Sequence, residues 1–293
     1  MGLYDFLIKE FMKLRAVESV LAKRTVADVL TRRAFSPSLR GRPHIVPTIA
    51  RQRLDAALRN RSGGVDVIVG PPASGKSTNL RFAFNEFLAN GGKGAYFGIE
   101  LKSYNQFFDL FGGSQRTHDL IKIMPRGTAI VIDQFEEHDE KAMPDMLNLV
   151  KDLMFESTLV ENISITVATS DAACAQRLLD LNGGRKVRLG CHPSDFRWTS
   201  ADVDSFIKGV GSLGQLNEPT LHRLRDLAIT SGSAGFLSDV ANYSESEVGG
   251  PTRPLNWMEA RAQGDSRSWS SYEKLLDSPA GLPSPPTASA QLA

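Results

Sequence analysis

Five short apolar runs punctuate the first two thirds of the chain: "VDVIV" (65–69), "GAYFGI" (94–99), "TAIVID" (128–133), "ISITVAT" (163–169) and a fifth over 186–190. Their β-branched content and short length predict buried strands. Between them apolar residues recur at helical spacing, which predicts helices over 48–60, 75–90, about 102–122, 141–156 and 171–181. Strands alternating with helix-length segments make crossover units, so the strands lie parallel and need helices on both faces. The expected architecture is a three-layer α/β/α sandwich with a parallel sheet over residues 44–197. After Arg197 the rhythm turns wholly helical over 200–210, 219–229 and 232–243, predicting a small helical lid across 198–243.

The two ends differ from this middle. Leu7, Phe11, Leu14, Val17 and Leu21 fall at helical spacing with Lys9, Glu10, Lys13, Arg15 and Glu18 between them. Residues 1–43 are therefore expected to form an amphipathic helix and linker that docks on the core or on a partner. The tail, 244–293, fills with Pro, Gly and Ser and is expected to be disordered, with "LNWMEA" and "WSSYEKLL" as candidate short docking helices.

Charge changes this picture little. The net charge is +1, although residues 1–43 hold nine Lys/Arg against four Asp/Glu. Nothing pushes the whole chain toward nucleic acid, which is an open but unindicated partner. The basic "TRRAFS" (31–36) raises a mitochondrial presequence, and Asp5, Glu10, Glu18 and Asp28 count against it. The two cysteines, Cys174 and Cys191, have no paired spacing and no histidine cluster nearby, which argues against a zinc site. They point to a reducing intracellular compartment, by default the cytoplasm. No stretch approaches the roughly 20 apolar residues of a membrane span.

Candidate chemistry begins at "VDVIVGPPASGKSTNL" (65–80). Gly70, Pro71, Pro72, Ala73, Ser74, Gly75, Lys76 and Ser77 match G-x-x-x-x-G-K-[ST] between a predicted strand and a predicted helix, with Thr78 next. Glycines let the backbone wrap phosphates with its N–H groups, and the helix N-terminus adds partial positive charge. Lys76 is expected on the β and γ phosphates and Ser77 on Mg²⁺. The pattern implies a nucleoside triphosphate, and the lack of an Asn/Thr-Lys-x-Asp guanine signature favours ATP.

A second acidic strand end should accompany that loop. Asp133 closes "TAIVID" and is the expected carboxylate on the metal side. One further strand, 94–99, lies between loop and Asp133 in sequence. That insertion resembles the additional-strand class of P-loop ATPases, which includes the AAA+ and STAND proteins. "VIDQFEE" is similar to the acidic segment of STAND-type NTPases, and "TVATSD" ends where AAA+ proteins carry a polar γ-phosphate sensor. The resemblance makes Thr169 or Ser170 the sensor. It also likens "TSADVDSFIKGV" and "ITSGSAGFLSDV" to a helical lid, places "HIVPTIARQRLDAAL" near the adenine, and implies an arginine reaching a neighbouring subunit. Arg177, Arg185 and Arg188 are the candidates, with Arg185 preferred because the "NGG" before it lets the side chain project.

Two departures from that pattern stand out. Gln134 occupies the place of the usual AAA+ glutamate, and an amide can orient water but cannot take its proton. Glu136 and Glu137 are the next carboxylates and become the candidate bases, or else a solvated loop start. The lid turn "GSAGFL" also lacks an arginine. The resemblance implies an ATP hydrolase with Mg²⁺ that couples turnover to conformational change against a protein partner, in a nucleotide-dependent homo-oligomer or as a monomer. Three other readings stay open: a nucleotide-gated interaction switch with negligible turnover, a superfamily-3-like helicase, and a P-loop small-molecule kinase.

Overall fold

The computed structural model describes residues 47–60, 64–98, 121–122, 124–135, 147–154, 163–181, 187–214, 216–246 and 255–276. The expected helices over 3–24 and most of 102–122 lie outside these residues. Strands β1 (Val65–Val69), β2 (Lys93–Phe97), β3 (Thr128–Ile132), β4 (Ile163–Thr169) and β5 (Val187–Cys191) form one parallel sheet in the order β2-β3-β4-β1-β5. Every residue of β1, β3 and β4 is buried. Both sheet faces are therefore covered, and even the polar positions Asp66, Ser164 and Thr166 lie inside.

One face presents Val65, Val67, Val69, Ile163, Ile165 and Val167 to a helical run over 147–154 and to α3 (Ala172–Asp180). The other presents Ile68, Ala129, Val131 and Ala168 to α1 (Thr48–Leu58) and α2 (Lys76–Ala89). The result is the expected three-layer α/β/α sandwich around a parallel sheet. The strand inserted in sequence is not the one inserted in space. β2 lies at the sheet edge, and β4 separates β1 from β3.

The lid follows as α4 (Ser200–Gly209), a single turn α5 (Gly211–Gly214), α6 (Glu218–Ser231) and α7 (Ala234–Ser246). It has its own apolar core, including Val203, Phe206, Leu224, Phe236, Leu237 and Val240. Thr199 and Asp202 form a capping box at the start of α4, and Asn217 caps α6. α6 stops at Gly232, whose φ of 62° gives the left-handed terminus that glycine adopts without Cβ strain.

The tail requires a correction. Residues Leu255–Leu276 form a 22-residue helix, α8, rather than a disordered segment. Met258 and Ala262 enter the lid core, while Trp269, 1% exposed, enters the cluster between α1, α2 and the sheet. Arg197 stacks 5.2 Å over the Trp269 ring and pairs with Glu273 at 3.0 Å. Ser231 Oγ donates to Asp265 at 2.7 Å. α8 thus ties the lid to the sandwich. Its anchors fall at steps of four and seven along one stripe, in an otherwise polar segment whose composition hides the docking.

Within the sandwich, Asp66 is buried in β1 and accepts from Arg188 Nε at 2.6 Å and from Asn60 Nδ2 at 2.6 Å. Arg188 lies opposite Asp66 in register on β5 and pairs with it, its own side chain remaining exposed.

Trp269→Ala should lower the unfolding free energy by about 3–5 kcal/mol, the usual cost of emptying a large buried aromatic site. Urea denaturation checks it, and an unchanged midpoint would mean α8 does not stabilise the core. A second expectation concerns pH. Burial raises the Asp66 carboxyl above its ordinary range, outweighing the lowering by Arg188 and Asn60. A carboxyl raised in the folded state stabilises below its unfolded pKa, and that contribution is lost as pH rises through the folded value. Asp66→Asn should therefore gain stability relative to the parent chain as pH rises from about 4, the ordinary carboxyl value, as followed by melting temperature. A flat difference would contradict it.

Candidate functional site

α2 begins at Gly75, whose φ of 92° turns the chain into the helix, and no side chain caps that terminus. α1, which follows Pro47, lacks a side-chain cap as well, whereas α3 is capped by Asp171, α4 by Thr199 and α6 by Asn217. Bare amides at a helix start, preceded by a glycine turn, form a cradle for an anion. Lys76 is buried inside it, its Nζ donating to Pro71 O at 3.3 Å and to Ser170 Oγ at 2.5 Å. Ser170 follows the last residue of β4.

The first turn of α2 also meets the end of β3. Ser77 Oγ donates to Asp133 Oδ1 at 2.9 Å, bridging over the strand that separates β1 from β3. The Gln134 amide donates to the same oxygen at 2.9 Å. The other carboxylate oxygen accepts from the Tyr96 hydroxyl and lies 3.6 Å from Arg81 Nη2. Burial and the neighbouring Asp133 charge push the Tyr96 phenol far up, so it keeps its proton and donates. Asp133 itself is buried, and it is held from four sides.

Two backbone positions at the site are strained. Ala73 in the loop has φ 62° and Gln134 beside Asp133 has φ 59°. A non-glycine residue there costs about 1–3 kcal/mol and persists only when its surroundings hold it. Two side-chain atoms at the same place, Ser74 Oγ and Gln134 Oε1, are buried without a hydrogen-bond partner. A hydroxyl and an amide oxygen left bare beside a buried lysine fit a polar ligand entering the cradle.

The two sensor candidates separate. Ser170 touches Lys76, whereas the Thr169 hydroxyl is fully buried and accepts from the Asp171 amide at 3.0 Å. Gly70, Pro71, Pro72, Ala73, Ser74, Gly75, Lys76, Ser77 and Thr78 form the loop and helix start as a unit. Glu136, Glu137 and Arg185 lie outside the described residues. Arg177 is within α3 and Arg188 is paired with Asp66. Ser77 and Asp133 supply two hard oxygen donors of the kind that Mg²⁺ takes beside phosphate oxygens. Among the described residues, no group of three or more His, Cys, Asp or Glu side chains is placed to hold a metal alone.

The sequence reasoning missed Tyr96, Arg81 and the lid contacts. A signal for Arg81 was present: it lies four residues after Ser77 and so shares its helix face. Tyr96 carried none, because a tyrosine near a strand end is ordinarily core. At the lid, Gly235 N donates to Ala73 O at 2.9 Å and Ser233 Oγ to the same oxygen at 3.1 Å.

No family model and no curated protein matches the chain. Solved structures do. Domain III of the replication initiation protein DnaA from Thermotoga maritima aligns at 14% identity and TM-score 0.42, over 77% of this chain and 89% of that one. A RuvB variant from the same organism aligns at 12% and 0.39, over 79% and 68%. Drosophila ORC bound to DNA aligns at 15% and 0.43, over 86% and 64%. The fold itself rests on the sheet order and the strand–loop–helix geometry. Among the described residues no helix is long and apolar enough to cross a membrane.

Proposed function

We propose that this chain binds ATP with Mg²⁺ and hydrolyses it slowly, coupling turnover to movement of the lid against a protein partner. The observation that carries the proposal is the Ser77–Asp133 contact beneath a loop whose amides and buried lysine converge on one cradle. Mg²⁺, when bound, neutralises phosphate charge. The chain's own residues do the rest: loop amides and Lys76 bind phosphate, and Ser77 and Asp133 present oxygens to the metal side. Ser170, already on Lys76, is suited to report the γ-phosphate.

Hydrolysis needs water to attack the γ-phosphorus while the bond to the ADP oxygen breaks, and water's proton must be taken up. Gln134 cannot accept it, but its unpartnered amide oxygen can orient the water. Glu136 is our choice of base over Glu137, both a few residues beyond Asp133. Arg185 of a neighbouring subunit is the proposed positive charge beside the transferred γ-phosphoryl group if nucleotide drives assembly. Orphaned Gln134 beside Asp133 also favours a second reading, a switch in which bound ATP sets the conformation and turnover is incidental.

Steady-state turnover of the full chain separates these readings. Lys76→Ala should weaken MgATP binding by at least about 1.5–3 kcal/mol, the worth of a charge-assisted contact, as read by calorimetry. Unchanged affinity would show that the loop binds no phosphate. Glu136→Gln should bind ATP and fail to hydrolyse it. A Glu136→Gln/Glu137→Gln chain with wild-type turnover would contradict both bases. No measurable turnover in the wild type would favour the switch.

A further inference from the structure

The phosphate loop holds one conformation that its own sequence disfavours. Ala73 takes a left-handed φ of 62°, and the carbonyl it presents is captured by the lid. Gly235 N and Ser233 Oγ both donate to Ala73 O, at 2.9 and 3.1 Å. The donors sit at the start of α7, where a helix has amides without intrahelical acceptors, so the loop carbonyl satisfies the lid helix. The fit is close. A Cβ at Gly235 would lie 2.5 Å from the Ala73 Cβ and 3.1 Å from its oxygen. Ser233 is 3% exposed, so its hydroxyl is committed to this contact rather than to solvent.

We propose that Ser233 and Gly235 are positioning residues for the phosphate loop. They hold the Ala73 peptide in the left-handed turn that aims the amides of the following residues into the cradle. The loop is then formed for phosphate only while the lid is docked. A partner that pulls the lid away releases the loop, and phosphate in the cradle favours the docked lid. α8 belongs to the same device, because the Ser231–Asp265 hydrogen bond fastens the lid turn two residues before Ser233 and four before Gly235. The inference deepens the nucleotide-binding proposal and rests on it for its ligand.

The test uses the full chain, a fluorescent ATP analogue with Mg²⁺, and four variants: Ser233→Ala, Gly235→Ala, Ala73→Gly and the Ala73→Gly/Gly235→Ala double. Alanine is a better helix former than glycine, so a loss in Gly235→Ala reports the clash with the loop. Gly235→Ala should bind the analogue at least about tenfold more weakly, and Ser233→Ala more weakly by several fold, while circular dichroism stays unchanged. Ala73→Gly removes the facing Cβ and adopts the left-handed turn freely, so the double variant should recover to within about threefold of Ala73→Gly. In nucleotide-free protein, hydrogen exchange of loop amides 73–77 should quicken in Gly235→Ala and slow again in the double variant. Wild-type affinity in both lid variants together with unchanged exchange overturns the inference and leaves nucleotide binding standing. Absence of binding by the wild type, with the exchange pattern as expected, overturns the nucleotide proposal and leaves the lid–loop coupling in place.

Discussion

A serine hydroxyl at the first turn of α2 lies 2.9 Å from a carboxylate oxygen at the end of β3, across the strand that parts them. Each element of the sandwich serves that meeting. The loop after β1 must end in a turn tight enough to start a helix, which Gly75 allows. β3 must lie two strands away with its acidic end at the same height, which the parallel register supplies. Charge enters a place where burial penalises it, since Lys76 and Asp133 are 5% and 2% exposed. The charges persist because each is hydrogen-bonded: Asp133 by Ser77, the Gln134 amide and Tyr96, and Lys76 by Pro71 and Ser170.

The lid and the C-terminal helix extend the same logic outward. A hinge between sandwich and lid would normally be free to move, because the lid has a core of its own. Here two contacts restrain it. Trp269 enters the cluster shared by α1, α2 and the sheet, under Arg197, and the α7 terminus grips the Ala73 carbonyl. A strained loop peptide, a glycine without room for a methyl group and a buried tryptophan thus belong to one mechanical unit. Among the described residues the left-handed non-glycine positions are Ala73 and Gln134, where a ligand's phosphates and the water beside them are proposed to bind.

Much of this was legible in the sequence, for reasons that can be stated residue by residue. The parallel sandwich follows from "VDVIV", "TAIVID" and "ISITVAT", because short β-branched runs separated by helix-length segments make parallel crossover units covered on both faces. The loop and Asp133 follow from residue types that anion and metal chemistry demand at fixed offsets. Strand order was not legible, since nothing in "GAYFGI" says that it goes to the edge while "ISITVAT" goes to the middle. α8 was legible only at its two ends, where "LNWMEA" and "WSSYEKLL" carry Met258 and Trp269; the polar residues between them hid that they form one helix. Tyr96 and Gly235 owe their roles to contacts more than 30 residues away in sequence, which local pattern cannot carry.

The central claim is that Ser77 and Asp133 form the metal side of a nucleotide site. Mn²⁺ titration followed by electron paramagnetic resonance tests it most directly, on the full chain with and without a non-hydrolysable ATP analogue. The wild type should take up about one Mn²⁺ per chain only when nucleotide is present. Asp133→Asn should lose most of that uptake while still binding the nucleotide without metal. Equal Mn²⁺ uptake by wild type and Asp133→Asn, or none by the wild type with nucleotide in excess, would contradict the account.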